Sequence, residues 1–130
     1  MPKNLKCKVK IRYNGAEREI DGTIDTGNTL KEPFSGACVI VARAEIFRDM
    51  FDADEYMKMS EISQKPPKTG VRLILFKSVG GVGLIPAIKP DYVKLISDNE
   101  EMDVNAYLAL CSSENMTGDV QSLVPAELIK

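Results

Sequence analysis

The sequence contains no histidine. Ser-His-Asp and Cys-His nucleophile–base pairs therefore cannot be assembled within one chain. A zinc site of the usual His-containing kind is excluded as well. If the chain is catalytic, its acid–base groups come from carboxylates, Lys, Tyr or Cys. Cysteine is scarce: Cys7, Cys38 and Cys111 are odd in number, far apart and form no CxxC pair. They read as reduced, partly buried thiols of a cytosolic protein and not as a disulfide frame or a metal cluster. No apolar run approaches the roughly 20 residues that span a bilayer. Met1–Lys10 is too polar to supply the apolar core of a signal peptide. An excess of basic charge is missing too. The net charge is −2, which argues against a phosphate-binding surface and hence against a nucleic-acid partner. The alternating lysines of Met1–Arg12 read as one solvated strand face.

What is present suits one domain. The chain has 130 residues, of which 44 % are apolar, enough for a real core. Residues 5–13 (LKCKVKIRY) alternate with period 2. Cys7, Val9, Ile11 and Tyr13 face one way and the basic residues the other, as in a half-buried strand. Asn14-Gly15 is a type I′ hairpin signal. The return strand is expected over Ala16–Ile24, with Ile20, Gly22 and Ile24 on one face and Glu19, Asp21 and Thr23 on the other. Further strands are expected at Ala37–Ala42, Val71–Val79, Leu84–Ile88 (an edge strand, because of Pro86), Val93–Ile96 and Asp103–Cys111. Ala44–Phe51 has helical spacing, and Asp52–Met59 could add a turn or two. Gln64–Gly70 reads as a loop and Gly80–Gly83 as a tight turn. Thr117–Lys130 reads as a loop and a short helix with Pro125 near its first turn. The expectation is a small, mostly β domain with one or two short helices.

The stretch 22-GTIDTGNTLKEP-33 carries the chemistry. Asp25 ends the second strand, and Gly27 is expected to permit a sharp reversal. A carboxylate so placed stands on a loop held by a rigid scaffold. Thr26 can hydrogen-bond across the loop while its methyl packs. Asn28 either braces the carboxylate by its amide or tolerates a turn conformation. The plainer reading is an ordinary β-turn, since Asp, Gly and Asn are turn residues.

The flanks shift the balance. Gly22-Thr23-Ile24 before Asp25 resembles the strand that leads into the D-T-G loop of retropepsin-like aspartic proteases. The glycine-rich 79-VGGVGLI-85, with Gly80, Gly81, Val82 and Gly83, resembles their flap. Read as a whole, the chain is similar to the C-terminal domain of the sporulation sigma-E factor processing peptidases of endospore-forming bacteria. The resemblance runs through DTGN with Leu30 and Pro33, through FKSVGGVGLIPAIKPD, and through LALCSSENMTGDVQSLVPAELI. It implies a retropepsin-like acid-protease half-barrel over residues 1–130. It also implies a membrane-bound aspartic protease at the cytoplasmic face of the mother-cell membrane that removes the pro-sequence of an inactive sigma factor. A secreted activator protein from the forespore is implied as well. The family's transmembrane helices are missing here, so the chain is expected to be an excised soluble domain, with a soluble relative as the alternative. Ala109–Cys111 is the candidate for the support beneath the catalytic loop.

Only Asp25 stands in a D-T-G context. Carboxylate-driven peptide hydrolysis needs two carboxyl groups sharing one proton. One chain therefore holds half a site, and a C2 homodimer would complete it. Neither metal nor organic cofactor is needed, since the nucleophile is a water. A non-catalytic peptide-binding module acting by strand addition, and a dimerisation domain in which Asp25 is only a turn residue, remain as alternatives.

Overall fold

The computed structural model describes residues 6–51, 71–78, 81–111, 116 and 118–129. Strand β1, Lys6–Tyr13, turns at Asn14-Gly15 into β2, Ala16–Asp25. Both turn residues have positive φ, 54° and 82°, as a type I′ turn requires. The apolar side of this hairpin is buried as the alternation predicts: Val9 and Ile11 are fully buried and Ile20 nearly so. β3 is Cys38–Arg43, β4 Val71–Ser78, β5 Gly81–Ile88, β6 Tyr92–Ser97, β7 Glu100–Val104, β8 Ala106–Cys111 and β9 Ser122–Pro125. Together they form one nine-stranded sheet in the order β4-β5-β8-β3-β9-β2-β1-β6-β7, curled into a half-barrel. The mostly β expectation holds.

The main core lies on one face. Val9, Ile11, Ile40, Leu108, Leu110 and Val124 meet there, covered by Phe47 and Met50. The covering segment, Ala44–Met50, is a 3-10 helix. A smaller cluster on the opposite face joins Val39, Ile74, Ile85, Ala87 and Ala109.

Several expectations need correction. Asp103–Cys111 is not one strand: it breaks at Asn105 between β7 and β8, because β7 pairs with β6 while β8 runs parallel to β3. Within Thr117–Lys130 the expected short helix is the 3-10 helix Ala126–Ile129, with Pro125 just before its first turn, but the strand Ser122–Pro125 ahead of it was not expected. Four residues show too little periodicity to be read as a strand. β5 is an interior strand, yet it pairs with β8 only at Ala87 and Ile88. Pro86 thus lies where β5 has a neighbour on one side only, and its missing N–H is tolerated. Gly81 and Gly83 belong to β5, paired with Ser78 and Phe76, and not to a turn over Gly80–Gly83. Gly80 itself lies outside the described residues, as do Asp52–Met59 and Gln64–Gly70.

Candidate active site

β2 delivers Asp25 to the place where β9 begins to support it. Thr23, Ile24 and Asp25 run parallel to Leu123, Val124 and Pro125. β9 in turn pairs antiparallel with β3 through Val41–Leu123 and Ala42–Ser122. Asp25 is half-buried, while Thr26 and Gly27 are exposed. Ala109–Cys111 is therefore not the segment beside Asp25. It sits on β8, on the far side of β3, and β9 takes the supporting role. The signal for β9 was the apolar Leu123-Val124-Pro125, too short to stand out.

The loop is fixed by few bonds. The Gly27 N–H donates to Asp25 Oδ1 at 2.9 Å, an Asx-type turn. Among the described residues this is the only hydrogen bond to that carboxylate, and no cation pairs with it. The Asn28 N–H donates to the Asp25 carbonyl at 3.1 Å. Gly27 does not have a positive φ. Its lack of a side chain matters for a different reason: a Cβ would stand 3.3 Å from Asp25 Oδ1, crowding the oxygen that its own N–H holds. The Asn28 amide does not touch the carboxylate; the residue closes the turn through its backbone, without a left-handed conformation. Its amide donates to the Val39 carbonyl at 3.0 Å and the Leu123 carbonyl at 3.3 Å, and its Oδ1 accepts from the Leu30 N–H at 3.2 Å.

The segment leaving the loop is also held. Lys31 forms an ion pair with Glu127, and that hydrogen bond raises the lysine above its ordinary range. Lys31 and Cys38 form an isolated bridge. The fully buried Glu32 accepts at Oε1 from both the N–H and the hydroxyl of Ser35, each at 2.7 Å. This pins a tight turn with Phe34 at its tip, 89 % exposed.

Register places the site on the sheet. Asp25 shares a face with Thr23 and Leu123, then with Val41 and Ala109, then with Ala87, Ile85 and Ile74. On that same face, β2 continues away from Asp25 through Asp21 and Glu19, opposite Lys8 and Lys10. Lys8 pairs with Asp21, and Lys10 and Lys94 with Glu101. Asp25 thus stands at a boundary between an apolar surface that runs into the β4–β5 ribbon and a charged, solvated one. The ribbon extends beyond the sheet, since Gly81–Pro86 pair with β4 but not with β8. Of the glycine-rich candidates, Gly81, Val82 and Gly83 lie in this ribbon.

The remaining thiols and clefts offer less. Burial raises the Cys7 thiol above its ordinary range, which keeps it protonated and unreactive. A cleft of about 420 Å³ between residues 89–93 and 103–106 is not lined by Asp25, and its Lys89 is engaged by Asn105 and by the Tyr107 ring. Among the described residues no group of three or more His, Cys, Asp or Glu side chains could hold a metal ion. No helix among them is long and apolar enough to cross a membrane.

Fold and site define a mostly β domain that presents Asp25 at the end of a strand, beside an exposed loop, and comparison with known proteins places it among peptidases. Residues 1–125 match the family described as Sporulation factor SpoIIGA, and the chain belongs to that family. A protein named as a sporulation sigma factor-processing peptidase from Bacillus thuringiensis subsp. kurstaki is 28 % identical, over 94 % of this chain and 83 % of that protein. The sporulation sigma-E factor-processing peptidase of Priestia megaterium is 24 % identical over 87 % of this chain, which spans 40 % of that relative's length. No solved structure matches.

Proposed function

We propose that the chain is the catalytic domain of an aspartic endopeptidase that removes the pro-sequence of a sporulation sigma factor. Asp25 supplies one carboxylate per chain. The observation that carries this reading is the Asp25 loop itself. The carboxylate ends a strand, is half-buried, accepts one hydrogen bond from Gly27 and retains open lone pairs toward an exposed loop. A carboxylate in that setting can hold and polarise a water. The substrate class comes from the names of the two relatives.

Hydrolysis of a peptide needs a second carboxyl group, one accepting the proton of water while the other donates to the carbonyl oxygen. A second copy of Asp25 across a twofold axis supplies it. Exposed Thr26 and Gly27 lie where such a partner loop would contact them. The Gly81–Gly83 ribbon acts as the flap, supported by the register that puts its Ile85 on the Asp25 face. Membrane attachment through a region outside this chain, on the mother-cell cytoplasmic side, and activation by a secreted protein complete the proposal.

The test is cleavage of the pro-sigma factor. Asp25→Asn abolishes it while leaving the fold intact, because an amide cannot act as the base. Co-expressed with wild type, the variant suppresses activity beyond simple dilution, since mixed dimers are dead. Cleavage at the wild-type rate by Asp25→Asn refutes the aspartic mechanism.

A further inference from the structure

The Val39 and Leu123 carbonyls lie on two strands that separate. β3 and β9 pair through Ala42–Ser122 and Val41–Leu123 and through no residue beyond these. The separation leaves the Leu123 and Val39 carbonyls beside the Asp25 loop, and one group answers both. The two hydrogens of the Asn28 amide reach Val39 O and Leu123 O, while its own oxygen takes the Leu30 N–H. The orientation is chemically determined: a flipped amide would set its oxygen against two carbonyls and its NH₂ against an N–H. The Asn28 backbone N–H meanwhile closes the turn onto the Asp25 carbonyl. Asn28 thereby joins four segments: the end of β2, the loop exit at Leu30, β3 and β9.

We propose that Asn28 is a positioning residue, a wedge between β3 and β9 that holds the Asp25 carboxylate in its reactive placement. The role rests on the aspartic-peptidase reading of Asp25 and deepens it. Asn28 acts through the loop, since the hydrogen bonds of its amide run to backbone groups of the protein. The side chain that does this must carry two donors and an acceptor on a short stem, which asparagine alone among the neutral residues supplies. Serine offers one donor, glutamine is one methylene too long, and aspartate lacks donors when ionised. The wedge also makes the loop depend on the C-terminal segment, because Leu123 belongs to the last strand of the sheet.

The measurement has two parts on the same variants. Hydrogen exchange reports the loop directly: in Asn28→Ala the Gly27 amide, now protected by Asp25 Oδ1, exchanges at least tenfold faster relative to core amides of β1 and β3. Cleavage of the pro-sigma factor reports the consequence. kcat falls about 10²-fold, the loss expected for a reacting group misplaced by about 1 Å, while KM changes by less than about threefold. Val93→Ala is the stability control. It removes buried side-chain volume on β6, which β1 separates from β2, lowers the melting temperature comparably and leaves kcat within about twofold of wild type. Asn28→Asp adds a pH signature. Its ionised carboxyl opposes two carbonyls, whereas its protonated form donates to one, so its activity relative to wild type rises as the pH falls. Unchanged Gly27 exchange with unchanged kcat in Asn28→Ala overturns the proposal. So does a kcat loss no larger than in a Val93→Ala variant of equal stability, or a pH-independent ratio for Asn28→Asp. The Asp25 reading stands or falls separately, on Asp25→Asn.

Discussion

Gly22, three residues before Asp25, gives the sharpest test of the packing. The glycine is buried in β2, and a Cβ built there would lie 2.8 Å from Val9 Cγ2, 2.9 Å from Val124 Cγ2 and 3.0 Å from Cys7 Sγ. Such approaches are shorter than carbon contacts tolerate, and two of the three opposing atoms belong to valines, which have little χ1 freedom to retreat. Gly22→Ala therefore overpacks the core, at about 1–3 kcal/mol. The backbone of Gly22 is not left-handed, so alanine also restricts the unfolded chain and returns roughly 0.4–1 kcal/mol. The net is a loss of about 1–2 kcal/mol. For a domain of this size that is a fall in melting temperature of roughly 4–8 °C, readable by circular dichroism. Val9→Ala removes the nearest atom, so Gly22→Ala costs less in that background, and the double-mutant cycle shows a favourable coupling. Because Val124 neighbours Pro125, the register partner of Asp25, cleavage falls further than stability alone explains. A melting temperature equal to or above wild type, or strictly additive single effects, refutes the argument.

The turn after the site should separate two neighbours sharply. Glu32→Ala removes the acceptor for both Ser35 donors and costs about 1–3 kcal/mol, whereas Phe34→Ser, at 89 % exposure, shifts stability by no more than about 0.5 kcal/mol; urea melts of the two variants check the contrast. Acid should destabilise the domain gently. The hydrogen bond from Lys10, and then its charge, hold Glu101 below the usual carboxylate range, and the hydrogen bond from Arg18 does the same for Asp49. Depressed folded values mean that this stability is present above the unfolded values near 4 and is lost as the pH falls through the folded ones. The pairs are exposed, so the effect is small and salt-sensitive. Glu101→Gln with Asp49→Asn should flatten the melting temperature against pH below about 5, and an unaltered slope would show that these pairs do not matter.

How much was legible depends on the length over which each pattern acts. The β1–β2 hairpin was readable to its turn residues because eight alternating positions and Asn14-Gly15 agree. The D-T-G loop stood out because Asp25 follows an apolar alternation whose polar face, through Thr23 and Asp21, is the face it joins. The support beneath it was missed. Ser122–Pro125 is four residues long, and its pairing with both β2 and β3 is a tertiary fact that no local periodicity carries. Proline was a partial guide: Pro125 does lead into the short helix but also ends a strand, and Pro86 sits in an interior strand with one local neighbour. The roles of Gly27 and Asn28 were open for a similar reason. Turn propensity describes the backbone, while here the spacing to Asp25 Oδ1 and the carbonyls of two distant strands decide what these residues do.

The chemistry sets a last constraint. A carboxylate has about four lone-pair positions, and Asp25 spends one on Gly27. Nothing else among the described residues neutralises or shares the charge. Were the role only to shape a turn, this would suffice, and the exposure of Thr26 and Gly27 would be incidental. As half of a proposed dyad the same facts acquire a cause. The remaining lone pairs must stay available to a water and to the opposing carboxyl, so a cation or a second backbone donor there would hold the carboxylate ionised and keep the shared proton off. The loop's rigidity must then come from outside the carboxylate. That is where the bonds are found: on Asn28, reaching the carbonyls of Val39 and Leu123, and on Lys31, reaching Glu127. Catalysis proposed in this form is governed by association, because no arrangement within one chain brings a second D-T-G aspartate to the first. Tethering two chains, which can raise the effective concentration to the mM range, becomes the natural point of control.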